Sequence, residues 1–183
     1  MLELVLAAAL AASPADLETM ARDARGRVGL AAEVVETGER VELWGAEPFP
    51  MQSVYKFPIA MAVLHLVDQG RLRLEARIRV EKSDFVTPQQ HSPIRDLHPK
   101  GGFEMRLDEI LRYAVAESDG TASDVLLRVA GGASTVQAYL RELGLRGIHV
   151  RDTEKAIGTE HSVQYRNSAT PRDAVLLLKD RKS

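Results

Sequence analysis

Ser53 and Lys56 stand at the head of an apolar stretch, Ser53-Val54-Tyr55-Lys56-Phe57-Pro58-Ile59. Two residues three apart on a helix share a face. A serine hydroxyl is a weak nucleophile until a neighbouring base takes its proton. A lysine can be that base when burial and nearby charge lower its pKa. A helix N-terminus adds free N–H groups that can hold a developing oxyanion. Alone, the pair reads equally as a helix-capping serine and a surface lysine. Ser118-Asp119-Gly120 follows 65 residues later, between two helical stretches. It is ordinary turn chemistry, or a hydroxyl held rigidly enough to relay a proton. Glu154 lies a further 36 residues on, in a polar stretch. Such a carboxylate is normally solvated. It becomes a general base for water only if its loop packs against Ser53.

The elements that must position these residues follow from periodicity. Asp16 is placed to cap a helix from Leu17, with Leu17, Met20, Ala21 and Ala24 on its apolar side and Gly26 as its end. Val28, Leu30, Ala32 and Val34 alternate, Glu36-Thr37-Gly38-Glu39 turns, and Val41 and Leu43 return as a hairpin. Residues 53–69 have helical spacing, with a bend expected at Pro58 and Gly70 as the stop. Residues 71–81 alternate apolar and charged, which predicts a strand or an extended crossing segment. The prolines and glycines of 87–102 predict a loop with room for one helical turn. Helices are then expected over 107–116, from a Thr121 cap to Val129, and from a Ser134 or Thr135 cap to Gly144. A polar stretch covers 147–169, and Thr170-Pro171 opens a last helix.

Composition narrows the function classes. A chain that is 45% hydrophobic and 27% charged can build a core, which excludes a disordered tail. The absence of cysteine excludes a disulfide scaffold, a thiolate zinc site and a thiol nucleophile. A net charge of −2 and few aromatics give no general reason to bind nucleic acid. The arginines of 71–79 read as a solvated face, since only one side of that segment is charged. No two histidines stand three or four residues apart, so no metal is expected, and no other cofactor is expected either. Residues 4–12 form an apolar run too short to span a bilayer. Ser13-Pro14-Ala15 offers a signal-peptidase site, which predicts a signal peptide over 1–15. Met1-Leu2-Glu3 carries no positive charge, and a buried helix is the alternative there.

The order Ser53-x-x-Lys56, Ser118-Asp119-Gly120, Glu154 resembles the class A serine β-lactamases, which carry S-x-x-K, S-D-N and a loop glutamate in that order. The surrounding words are similar too. They are Gln52-Ser53-Val54-Tyr55-Lys56-Phe57-Pro58-Ile59-Ala60, Ser92-Pro93-Ile94-Arg95-Asp96, Thr153-Glu154 and Gln164-Tyr165-Arg166-Asn167. They look like the subgroup that includes the extended-spectrum and Bacteroidetes-type cephalosporinases. The resemblance runs from about residue 16 to the end. It implies an α+β fold, with an all-α subdomain and an antiparallel sheet of which only the first two strands are present. It implies Ser53 as the nucleophile that opens a β-lactam, Lys56 as the residue that takes or relays its proton, and Ser118 as the donor to the leaving nitrogen. Glu154 would activate the hydrolytic water. The implied setting is a periplasmic or secreted monomer with a small-molecule substrate, no nucleic-acid partner, no membrane after signal removal, and a role in antibiotic resistance.

Three departures qualify the resemblance. Gly120 stands at the substrate-binding position where the family usually has Asn. Gly158 stands four residues after Glu154, where Asn is again usual. The K-[ST]-G motif is absent: Lys155, Lys179 and Lys182 follow Ser118, and none begins it. In the family that motif lies on a later sheet strand that carries the second oxyanion N–H. Residues 16–183 are therefore expected to be an incomplete catalytic domain. Two strands make a poor sheet with an open edge, so the 183-residue chain is expected to be marginally stable and poorly active. The competing readings are a penicillin-binding sensor module that acylates without efficient turnover, a serine-dependent glutaminase, and an inactive fragment.

Overall fold

The fold is a computed structural model describing residues 14–180. Apart from Pro14 and Ala15, the expected signal peptide lies outside the described residues. In chain order the elements are α1 (Pro14–Arg22), β1 (Leu30–Glu33), β2 (Arg40–Leu43), β3 (Phe49–Pro50), α2 (Lys56–Asp68), β4 (Arg77–Val80) and α3 (Pro93–Leu97). They continue with β5 (Phe103–Arg106), α4 (Leu107–Ala116), α5 (Gly120–Val129), α6 (Ala133–Glu142), β6 (Ile148–His149), α7 (Glu154–Thr159), β7 (Ser168–Ala169) and α8 (Pro171–Asp180). The described chain divides into two units.

One unit gathers residues 14–49, 145–148 and 168–180. β1 and β2 pair antiparallel, from Leu30 opposite Leu43 to Glu33 opposite Arg40. The expected turn closes them, with Gly38 at φ 75 donating to the Val34 carbonyl. Leu17 and Ala21 of α1 pack on Leu43, flanked by Val28, Leu30 and Val41. α8 lies on β1, tied by Lys179 to Glu33. α1 begins at Pro14, not Leu17, so Asp16 sits inside the first turn rather than capping it, and the helix ends at Arg22, before Gly26. α8 opens at Pro171 as expected, with Thr170 Oγ1 accepting from the Asp173 N–H.

The other unit gathers residues 50–144 and 149–167. α2 runs through its centre and packs on α4, α5 and α6. Ile59, Ala62 and Val63 of α2 are buried with Ile110, Leu126, Val136 and Leu140. Each such isoleucine, leucine or valine side chain contributes about 1.5–3 kcal/mol by leaving water. Where a bend is expected at Pro58, the structure instead changes helix type two residues earlier: a 3-10 turn over Gln52–Tyr55 gives way to α2 at Lys56. Pro58 then falls in the first turn, where its missing N–H has no intrahelical partner to lose.

Three further expectations are corrected. The extended segment is a strand only over Arg77–Val80, pairing antiparallel with Phe103–Arg106. Before it, the Leu74 and Ala76 carbonyls accept from Asp108 and Leu107, the first N–H groups of α4, so they serve a helix end instead of a sheet. Asp119 rather than Thr121 caps α5, accepting from the Ala122 N–H. Gly132, at φ 94, precedes α6 in place of a Ser134 or Thr135 cap.

Candidate active site

Ser53, Lys56, Ser118, Gly120 and Glu154 all belong to the second unit. Ser53 sits in the 3-10 turn that precedes α2, directly after Gln52, whose φ of 47 is unusual for a residue with a Cβ. That turn is held from behind: the Met51 N–H donates to the Asn167 carbonyl at 2.9 Å, and Gln52 Nε2 donates to Gln164 Oε1 at 2.7 Å. Ser53 is exposed, whereas Lys56, one turn on, is 4% exposed. Lys56 Nζ donates to Ser118 O at 2.9 Å, to Ser118 Oγ at 3.1 Å and to Ser53 Oγ at 3.3 Å. Ser118 Oγ donates to Ser53 Oγ at 2.9 Å. Ser118 is itself left-handed, at φ 55, so a strained residue adjoins or forms each side of the hydroxyl pair. An accessible hydroxyl joined to a buried amine and a second hydroxyl can be deprotonated, attack, and pass its proton onward.

Glu154 reaches this cluster from a third segment. Its Oε2 lies 3.6 Å from Lys56 Nζ and accepts from the Tyr55 hydroxyl at 2.8 Å. Burial, with the Glu154 carboxylate alongside, pushes the Tyr55 phenol well up, so it stays a donor. Glu154 is the first residue of α7, whose opening N–H groups are all satisfied. Glu154 and Lys155 donate to Asp124 at 2.6 and 3.0 Å, and Ala156 donates to Thr153 Oγ1 at 3.1 Å. The loop is clasped at its base by Asn167, which is 1% exposed. Its Oδ1 accepts from Arg151 and Asp152 N–H, and its Nδ2 donates to Asp152 O.

The Ser-Asp-Gly turn is knit to the preceding loop. The buried Asp119 carboxylate accepts from the Ile94 N–H at 2.7 Å and lies 3.0 Å from Ser92 Oγ. The Gly120 N–H donates to His91 O. A Cβ at Gly120 would stand 2.8 Å from Glu154 Cγ and 3.2 Å from Val86 Cγ1. Glycine here leaves the room into which the Glu154 side chain packs. Gly120→Ala is therefore expected to cost about 1–3 kcal/mol by overpacking and to push Glu154 away from Tyr55. Thermal unfolding checks the cost; an unchanged midpoint contradicts the close contact.

Asp124, Tyr55 and Gln90 surround Glu154, and sequence reasoning did not select them. Asp124 left a local signal, an acid directly before the apolar run Val125-Leu126-Leu127 of α5. Burial pushes its carboxyl up to about 6, opposed by the N–H groups of Lys155 and Glu154. An unfolded aspartate titrates near ~3.9. Between those values the folded protein holds more protons than the unfolded chain, so this stabilisation is present at low pH and is lost as pH rises through 6. The thermal midpoint is expected to rise from pH 7 to pH 5 relative to Asp124→Asn, which does not titrate. Parallel curves for the two proteins contradict this. Among the described residues, no group of three or more histidines or carboxylates could hold a metal.

Residues 13–180 match the model of the beta-lactamase enzyme family. Beta-lactamase VEB-1 of Pseudomonas aeruginosa is 34% identical over 164 residues, covering 90% of this chain and 54% of that protein. The extended-spectrum beta-lactamase PER-1, from the same organism, is 31% identical over 163 residues, covering 89% of this chain and 53% of its own. Among solved structures, a beta-lactamase from Chitinophaga pinensis DSM 2588 superposes with a TM-score of 0.84 at 38% identity, over 88% of this chain and 59% of that one. The chain spans about half the length of the curated relatives it matches.

Proposed function

This chain belongs to the beta-lactamase enzyme family, and from that premise we propose that it carries the acyl-enzyme machinery of a β-lactam hydrolase, with Ser53 as the nucleophile. The observation that carries this reading is the meeting of Ser53, Lys56, Ser118 and Glu154 from three separate segments, the first three joined by hydrogen bonds and Glu154 by its ion pair with Lys56. Ser53 Oγ attacks the lactam carbonyl carbon as Lys56, acting in its uncharged amine form, takes the hydroxyl proton across the contact the two groups make. The Ser53 N–H supplies one donor to the resulting oxyanion. Collapse of that intermediate breaks the C–N bond, and the nitrogen receives a proton from Ser118, which Lys56 replenishes. An ester on Ser53 remains. Glu154 then takes a proton from a water molecule, whose oxygen attacks the ester carbonyl. The Ser53 oxygen leaves, recovers that proton, and releases the ring-opened acid.

The ion pair of Glu154 with Lys56, and the phenol that holds the carboxylate, support full turnover. A module that acylates and keeps the ester is the second reading, favoured by the bare backbone at Gly158. Export of the protein and a part in β-lactam resistance belong to the same proposal, supported by the pattern of residues 4–15. The test is hydrolysis of a chromogenic cephalosporin by the full-length gene product. Steady turnover supports hydrolysis, a penicillin ester on Ser53 that persists for hours supports the second reading, and a folded protein that does neither refutes both.

A further inference from the structure

Gln90 lies in the loop before Ser92, far in sequence from the Glu154 helix, yet it meets that helix at two points. Its Nε2 donates to the Glu154 carbonyl. Its amide also occupies the space beside Gly158: a Cβ built there would stand 2.3 Å from both Cδ and Oε1 of Gln90 and 2.7 Å from Nε2. The amide is fixed from the other side. Its Oε1 accepts from the Thr87 N–H and from Thr87 Oγ1, both at 3.0 Å. The loop backbone is pinned in turn, since Arg95 Nη1 donates to Gln90 O at 3.0 Å and also to Thr87 O. The next residue, His91, accepts from the Gly120 N–H, which joins this loop to the Ser118 turn.

We propose that Gln90 is a positioning residue for Glu154: it fills the place that a side chain at 158 would take and fixes α7 by its carbonyl. The bare backbone at Gly158 is thus the seat of an amide delivered from another loop. Oε1 is spent on Thr87, so Nε2 is turned toward α7, and the bond it makes holds the backbone that carries the carboxylate. The inference rests on the hydrolase reading for its kinetic consequence, and on geometry alone for its structural one.

The experiment uses the full-length gene product. Gln90→Ala is expected to slow hydrolysis of the Ser53 ester about 10- to 100-fold, as small displacements of a catalytic group do. Formation of the ester should change less than about threefold on the same scale. Gln90→Glu keeps the volume and removes the donor, and should slow ester hydrolysis in the same way, which guards against a cavity effect. Gly158→Asn should be harmful alone, because its Cβ evicts the Gln90 amide, but should restore ester hydrolysis when combined with Gln90→Ala. Wild-type ester hydrolysis in both folded Gln90 variants overturns the proposal, as does a Gly158→Asn effect of the same size and sign in both backgrounds. Amide hydrogen exchange over 154–159 is the readout independent of β-lactam chemistry. It should quicken in Gln90→Ala, and unchanged protection overturns the proposal. A wild-type protein that is never acylated refutes the hydrolase reading instead, and the exchange result then stands by itself.

Discussion

Ser53→Ala is expected to abolish covalent capture of a labelled penicillin and to lower cephalosporin turnover by about 10⁴-fold or more, with the fold unchanged. The size of the loss follows from the cluster. Ser53 Oγ is the shared acceptor of Lys56 and Ser118, and among the described residues no other hydroxyl meets both groups. Ser118 does not replace it, because its carbonyl and hydroxyl are both engaged by the Lys56 ammonium and its left-handed backbone fixes their direction. The fold should survive because Ser53 is exposed and its hydroxyl is only one of the acceptors that Lys56 meets. Lys56 keeps two acceptors on Ser118. Stability should stay within about 0.5 kcal/mol, as for surface substitutions generally. Intact mass after incubation with penicillin, together with thermal unfolding, separates the chemical loss from a folding loss. A Ser53→Ala protein that still gains the mass of one β-lactam would place the nucleophile elsewhere and end the reading.

The residues most legible in the sequence were those whose partners are close along the chain. Ser53 and Lys56 share a face because they stand three positions apart, and that local spacing survives the change from 3-10 to α geometry. The β1–β2 hairpin and the Pro171 start of α8 are local in the same sense. Long-range partners were not legible. Phe103–Arg106 follows two glycines and has no alternation strong enough to mark it. It becomes a strand because Val80 and Arg77 lie opposite its two ends. α7 is six residues long, too short to hold by propensity. It forms because Asp124, on a different helix, takes its first two N–H groups. Thr121 is the cap expected after the Ser-Asp-Gly turn, but Asp119, the stronger capping type, reaches the Ala122 N–H and Thr121 turns inward to Ser92. Gln90 is the extreme case. Its meaning depends on an absent side chain at position 158, which no local pattern connects to position 90.

Glu154→Gln should divide the reaction in two. Ester formation is expected to persist, slowed less than about tenfold, while ester hydrolysis falls about 10²- to 10⁴-fold, the usual worth of a general base. The asymmetry follows from which base meets Ser53. Lys56 Nζ bonds Ser53 Oγ directly, whereas Glu154 reaches the serine through Lys56. Removing the carboxylate therefore leaves the proposed acylation base in place and removes the group that would activate water. The substitution is nearly isosteric, and its amide oxygen can still accept from Tyr55. It does take the negative charge away from a lysine that is 4% exposed. A modest loss of stability should accompany it, because a buried ammonium without its carboxylate is costly. The mass spectrum should show a Ser53 ester that persists after free β-lactam is removed, in contrast to the unmodified Ser53→Ala protein. If Glu154→Gln turns over at the unsubstituted rate, the water is activated by another group. If ester formation falls as far as ester hydrolysis, Glu154 rather than Lys56 drives the first step, and the contact at 3.6 Å is the route by which the proton leaves.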